Sequence, residues 1–497
     1  MTHASRQGAF RQEGQTAYAF AEVNVVPAQV NLWQVVRRKD LLRETKQNGI
    51  YYFLSYTCSM QPPTTTNPNL RRVLSSSFAI SACIGGIIGL GILRTPGEIA
   101  AVIPNPYAYV ALWFLGGLFA LLSIAVIAEL VGITPRSGGV YVLVKRAYGP
   151  YPGFLMGWTD WLTFGATLAL KATVLVEFIA MLLPGLEGKQ SSVAILITTA
   201  FAVLQLSGVR LGSSIHQVAA TGMAIIVVGF SIALALATPV LASETLPPLS
   251  EPGMNKYALV AAGIIFTYDG WIGASYFSGE IKGGGGAVAR ACIKSVAIVL
   301  VLYVCLNAAL AFSVPLEQLA ESELALASAL DLAFWPGVGT IVIVAAILIL
   351  LAHQNLNYMQ APRILFALSE DGFGAKRAAR MGPRGTPAFA VLLSWALTVG
   401  LILLGGFEFL LNFNALLFTF LYVALLWGVV RLRKKEPQTH RPYLAWAHPY
   451  SSWVCIIGWF LVTVFMAVST PISALSAVIM VAISIPVYYG MQKIQTS

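Results

Sequence analysis

SACIGGIIGLGILRTPG, residues 81 to 97, lies inside an apolar run long enough to cross a bilayer, yet it carries five glycines and a proline. Lipid offers no hydrogen bonds, so backbone freed by a break at Gly85, Gly86, Gly89 and Gly91 has to be satisfied by protein, water, an ion or a bound molecule. A second interrupted span, FTYDGWIGASYFSGEIKGGGG from Phe266 to Gly286, sets the carboxylate of Asp269 beside a glycine. Two interrupted spans in corresponding halves of a chain point to a secondary transporter whose site lies at the breaks.

Composition puts nearly the whole chain in the membrane. Of 497 residues, 57% are hydrophobic and 10% charged, with a mean hydropathy of +0.74. An ordinary soluble domain is about 25% charged. At roughly 20 apolar residues per crossing, the pattern predicts twelve spans. They fall near 76–103, 107–133, 154–183, 191–207, 217–241, 257–281, 294–314, 338–368, 387–405, 408–431, 452–470 and 472–491.

Short loops rich in Lys and Arg stay in the cytoplasm. One alternating set of loops carries Arg136, Lys145 and Arg146, then Arg210, then Lys282, Arg290 and Lys294. It continues with Lys376, Arg377, Arg380 and Arg384, and ends with Arg431, Arg433, Lys434, Lys435 and Arg441. The opposite set has only Lys189 and Lys256. This alternation predicts a multi-pass protein of the plasma (inner) membrane with both termini cytoplasmic. The formal charge of +10 follows from the same bias, so its partner is the anionic lipid bilayer and not nucleic acid.

The cysteines at 58, 83, 292, 305 and 455 form neither a disulfide frame nor a CxxC pair, and the histidines at 3, 216, 353, 440 and 448 form no ligand cluster. No Gly-rich phosphate loop follows a strand, and the GGGG at 283–286 reads as a hinge or turn at a helix end. A pump driven by ATP, an enzyme and a metalloprotein therefore find no support, and neither cofactor nor metal is expected. A channel lacks a ring of like charges or a filter run. Residues 1–59 mix polar and aromatic residues, and IYYFLSY at 50–56 is too short to span. Met60 opens QPPTTTNPNLRRV, a proline-rich basic lead into the first span and a candidate native start. The expected division is a disordered cytoplasmic extension over 1–70 and a transporter domain over 71–497.

Three ordered motifs narrow the class. IGLGILRTPG closes the first broken span, PRSGGVYVLVKRAYGPYPGFLMGWTDWL from Pro135 to Leu162 follows the second, and APRILFALSEDGFGAKRAARMGPRGTP from Ala361 to Pro387 closes the eighth. Across about residues 70 to 490 the chain resembles the amino acid–polyamine–organocation family of permeases. That resemblance implies an all-α integral membrane protein of twelve transmembrane helices. They form a five-plus-five inverted repeat with helices 1 and 6 broken, the repeats covering about 76–241 and 257–431, and two helices appended over 452–491. It implies secondary active transport of amino acids by alternating access, through exchange or proton-coupled symport. A polyamine or organic-cation permease and a non-transporting amino acid sensor are the alternatives. Some members use a lysine in helix five in place of sodium; here HQVAATGMAIIVVGF has none. The loop PGLEGKQSS lacks a cysteine, so no disulfide-linked accessory subunit is expected.

An α-amino acid is a zwitterion, and desolvating both of its ends is costly without partners. The start of the outer half of helix one, at Gly89, Leu90, Gly91 and Ile92, offers free amides and a positive dipole end for a carboxylate. Carbonyls near Ile84, Gly85 and Ile88, and at Phe266 and Thr267 beside Gly270, suit an ammonium. The competing reading of these glycines is close helix packing. Asp269 faces a substrate cation or caps the following half-helix. Phe266, Tyr268 and Trp271 are candidate gates, with packing as the commoner role of membrane aromatics. Arg94 and Glu98 are spaced to pair on one face. Glu129 is expected to tether the PRSGG loop. Lys171 and His353 are candidates for coupling or substrate contact, against snorkelling or a satisfied hydrogen bond.

Overall fold

The computed structural model describes residues 72–89, 91–183, 185–186, 188–237, 254–320, 322, 324–404 and 407–496. The extension over 1–70, the proposed start at Met60, and Leu90 lie outside the described residues.

The chain enters α1 (Ser76–Ile87) through a cap, the Ser75 hydroxyl accepting from the Phe78 amide at 3.1 Å. At Ile88 the backbone leaves the helix (φ −70, ψ 93), and α2 (Gly91–Ala100) resumes it. Asn105 caps and Pro106 opens α3 (Pro106–Ile133). Then follow α4 (Val140–Tyr148), α5 (Pro150–Leu182), α6 (Gln190–Leu206), α7 (Val209–Leu236) and α8 (Met254–Thr267). A non-helical turn at 268–272 and a 3-10 segment, Gly273–Phe277, come next. The chain continues through α9 (Gly284–Ser313), α10 (Leu316–Ala320), α11 (Ala325–Ala333), α12 (Thr340–Glu370), α13 (Ala388–Leu404), α14 (Phe407–Lys435), α15 (Tyr450–Ser469) and α16 (Pro471–Thr496). Each of the twelve predicted spans coincides with a helix or a broken helix, and among the described residues nine are long and apolar enough to cross a bilayer. Both predicted interruptions are present.

Helix contacts come in pairs related by exchanging the two halves. α7 packs on α9 as α14 packs on α3; α7 packs on α12 as α14 packs on α5; α5 packs on α6 as α12 packs on α13. The pairs α3 with α9, α5 with α12 and α6 with α13 lie across the exchange itself. This is the five-plus-five arrangement, with α15 and α16 added on α14. Outward faces remain apolar: Leu211, Val218, Ile225 and Ile232 form a seven-residue stripe of exposed side chains along α7, as lipid contact requires.

The predicted basic loops meet at one end of the bundle. Arg136 pairs with Asp371 at 2.9 Å and Glu370 at 3.3 Å, and Lys145 reaches Asp371 at 2.7 Å. Arg146 pairs with Glu436 at 2.9 Å. Glu129 corrects its expected role. Its carboxylate, 2% exposed, accepts from Arg433, from Arg441 at 2.9 Å and from the Ala445 amide at 2.8 Å, so it holds the segment after α14. The PRSGG loop is fixed instead by Arg136, by the Ser137 hydroxyl accepting from the Gly279 amide, and by the Gly138 amide donating to Tyr276 O. At this end Leu74 also bridges to Ile281, Leu74 N donating to Glu280 O at 3.0 Å and Lys282 N to Leu74 O at 2.9 Å.

Candidate functional site

The two interruptions touch. A Cβ on Gly86 would stand 2.9 Å from the Gly270 carbonyl oxygen, and one on Gly270 would stand 2.4 Å from the Gly86 carbonyl. Gly270 has φ +113, a region side chains disfavour. The remaining glycines of the first break serve packing too: Gly85 lies against His216, Gly89 against His353 and Gly91 against Thr267. Close approach of helices and opening of the helix are here one device.

Much of the freed backbone is satisfied within the protein. Ile84 O accepts the Ile88 amide at 2.8 Å, and Ile87 O accepts the Tyr303 hydroxyl at 3.0 Å. Phe266 O accepts the Asp269 amide at 3.0 Å. The Thr267 hydroxyl donates to Gly263 O at 2.8 Å and stands 3.2 Å from Thr95 Oγ1, joining α8 to α2. Two of the carbonyls expected to hold an ammonium, those of Ile84 and Phe266, are thus already engaged.

Beside the breaks opens a cavity of about 610 Å³ between facing sides of α5 and α12. Of the residues the sequence singled out, Gly89, Gly91, Phe266, Thr267, Asp269, Gly270, Lys171 and His353 line it. Ile84, Gly85, Ile88, Ile92, Tyr268 and Trp271 do not. Ile88 and Ile92 are buried in the core, and Tyr268 donates its hydroxyl to Trp113 O at 3.0 Å. Trp271 packs edge-on against Tyr422 and Trp459. Arg94 and Glu98 pair as expected, at 3.6 Å, on exposed side chains at the cavity edge.

Asp269 accepts a hydrogen bond from the Tyr422 hydroxyl. Lys171 opens onto the same cavity and feels the Asp269 charge, yet among the described residues it forms no ion pair. His353 sets its ring beside the carbonyls of Gly85 and Ile88 without a hydrogen bond of normal geometry. The sequence reading passed over the run HQNLNYMQ, 353–360, whose polar density in an apolar span was the available signal. Gln354 and Asn355 join helices, donating to Leu168 O and Gly212 O, both at 2.9 Å. Asn357 and Gln360 line the cavity. Asp160 was passed over as well: fully buried in α5, it accepts the hydroxyl of Tyr276, a lining residue, at 3.1 Å.

Comparison with known proteins agrees with this architecture. A family model described as amino acid permease matches residues 74–491. The serine/threonine exchanger SteT of Bacillus subtilis is 26% identical over 438 residues, covering 87% of this chain and 100% of the relative. The b(0,+)-type amino acid transporter 1 of Homo sapiens is 23% identical over 396 residues, covering 77% and 80%. The cystine/glutamate transporter of Pongo abelii is 25% identical over 400 residues, covering 77% and 78%. With two broken helices meeting at paired glycines, a bundle whose two halves are related by exchange and a family match across nearly all of it, the chain belongs to the amino acid permease family.

Proposed function

We propose that the cavity beside the two breaks is the substrate site and that the protein carries amino acids through it by alternating access, as an exchanger. It transports and does not catalyse bond chemistry. Both termini face the cytoplasm across the plasma membrane, because the loops that gather at one end of the bundle hold the Lys and Arg excess. The observation that carries this reading is the meeting of Gly86 and Gly270 beside a cavity lined by Asp269 and the first turn of α2. That turn supplies amides without helical partners for a carboxylate, and Asp269 supplies charge for an ammonium. Exchange is favoured over proton symport because SteT is named an exchanger.

Uptake of labelled amino acids into proteoliposomes tests this reading. Uptake that requires an amino acid inside the vesicle is expected. Uptake into empty vesicles driven by an imposed proton gradient would replace exchange with symport. Binding with no uptake in either arm would leave a sensor.

A further inference from the structure

Two helices that line the cavity carry hydrogen-bond donors without acceptors among the described residues. Asn357 on α12 is 6% exposed, and its Nδ2 has no hydrogen-bond partner among the described residues. Opposite, on α5, Lys171 presents an ammonium with three donors, and among the described residues it makes neither an ion pair nor a hydrogen bond. Asp269, a carboxylate that lines the same cavity, already accepts from Tyr422. Leaving such donors empty when a ligand displaces water is costly. A ligand that brings an acceptor to this wall avoids that penalty; an aliphatic side chain does not, and a cationic one adds repulsion from Lys171.

We propose that Lys171 and Asn357 read the substrate's side chain and select amino acids that carry a hydrogen-bond acceptor there, a hydroxyl, amide or carboxylate, over aliphatic and cationic ones. The inference rests on the cavity being the amino acid site. Both residues stand on the α5 and α12 faces and not on the breaks, so the α-carboxylate and α-ammonium remain with the backbone ends and Asp269. Lys171 follows Phe164 and Thr167 along the cavity face of α5, and Asn357 lies one turn beyond His353 on α12. The specificity wall is therefore built on two continuous helices that face each other, which fixes its donors more firmly than a loop would.

The test is competition binding on the purified full-length protein with serine, asparagine, glutamate, alanine, leucine and lysine. Serine, asparagine and glutamate are expected to bind at least tenfold more tightly than alanine and leucine, with lysine weakest. Lys171→Met lowers the preference for the three acceptor ligands over alanine by about tenfold. Lys171→Arg, which keeps the donors, retains the order of preference, and Asn357→Leu lowers the preference for asparagine and serine. Ligand-free melting of each variant separates a folding defect from a binding change. Equal losses for all six ligands in Lys171→Met would assign the ammonium to the α-carboxylate and overturn the inference, as would alanine or leucine binding as tightly as serine to the wild type. If the wild type binds none of the six, the amino acid reading of the cavity fails and this inference falls with it.

Discussion

The Tyr422 hydroxyl donates to Asp269 Oδ1, tying α14 to the second broken span at the residue where the chain leaves α8. A carboxylate held this way is oriented beside the cavity it lines. Asp269→Asn keeps the shape and removes the charge. If Asp269 meets the substrate ammonium, affinity falls on the order of 1.5 to 3 kcal/mol, about tenfold or more, equally for alanine, serine and leucine. Tyr422→Phe loosens the carboxylate without removing it and costs less. Competition binding checks both; unchanged affinity in Asp269→Asn assigns the residue a purely structural part.

Gly89 and His353 share one space. A Cβ on Gly89 would stand 2.8 Å from His353 Cε1, so Gly89→Ala forces the imidazole, 4% exposed, to move. Replacement by valine is expected to disturb the packing of α12 as well as binding. Gly89→Ala weakens substrate binding, and His353→Ala in the same chain restores part of it by vacating the site. Affinity and melting temperature of the single and double variants measure the coupling.

At the end where the basic loops meet, burial alone would push the Asp371 carboxyl up. The Arg136 guanidinium, with help from Lys145 and Tyr141, outweighs that and holds it below the usual range. A carboxyl depressed in the folded state adds stability that is full above its unfolded pKa of about 3.9 and is lost as pH falls through the lower folded value. Asp371→Asn is therefore destabilised by roughly 1.5 to 3 kcal/mol across pH 5 to 8. The gap to wild type closes only below about pH 4. Melting in detergent against pH follows this; a gap that closes near neutrality contradicts it.

Glu129 is the one carboxylate among the described residues that holds both Arg433 and Arg441. Glu129→Gln leaves two guanidinium groups short of their counter-charge, and removing one partner of a buried pair costs about 3 kcal/mol or more. The expected outcome is a lower melting temperature and faster proteolysis in the 436–449 segment. Substrate affinity at the distant cavity should hold in the fraction that remains folded.

The architecture was legible because membrane spans announce themselves by length and composition, and because the glycine cluster at 85–91 and the carboxylate set beside Gly270 locate both breaks. The site was legible only in part. Asp269, Lys171 and His353 stood out as ionisable groups in apolar runs, whereas Asn357 and Gln360 carry no charge and became lining residues only through the turn of α12 that faces α5. Tyr268 and Trp271, one and two residues from Asp269 in sequence, point into the core instead, since the non-helical turn at 268–272 sends neighbouring side chains to different sides. That the carbonyls of Ile84 and Phe266 each accept a backbone amide was not legible either: how far a broken helix leaves its ends open depends on the local turn, which residue identity does not disclose.

The pairing of Leu74 with Ile281 has a mechanical meaning. The lead-in to the first broken span and the exit from the second are laced by two main-chain hydrogen bonds, one in each direction. Lacing of this kind makes the inner halves of both spans one leaf of a hinge, which swings as a unit or must unzip first. Because the stitches are amides and carbonyls, side-chain drift at 72–75 and 280–282 leaves the leaf intact, and only a proline at position 74 or 282 would cut the thread.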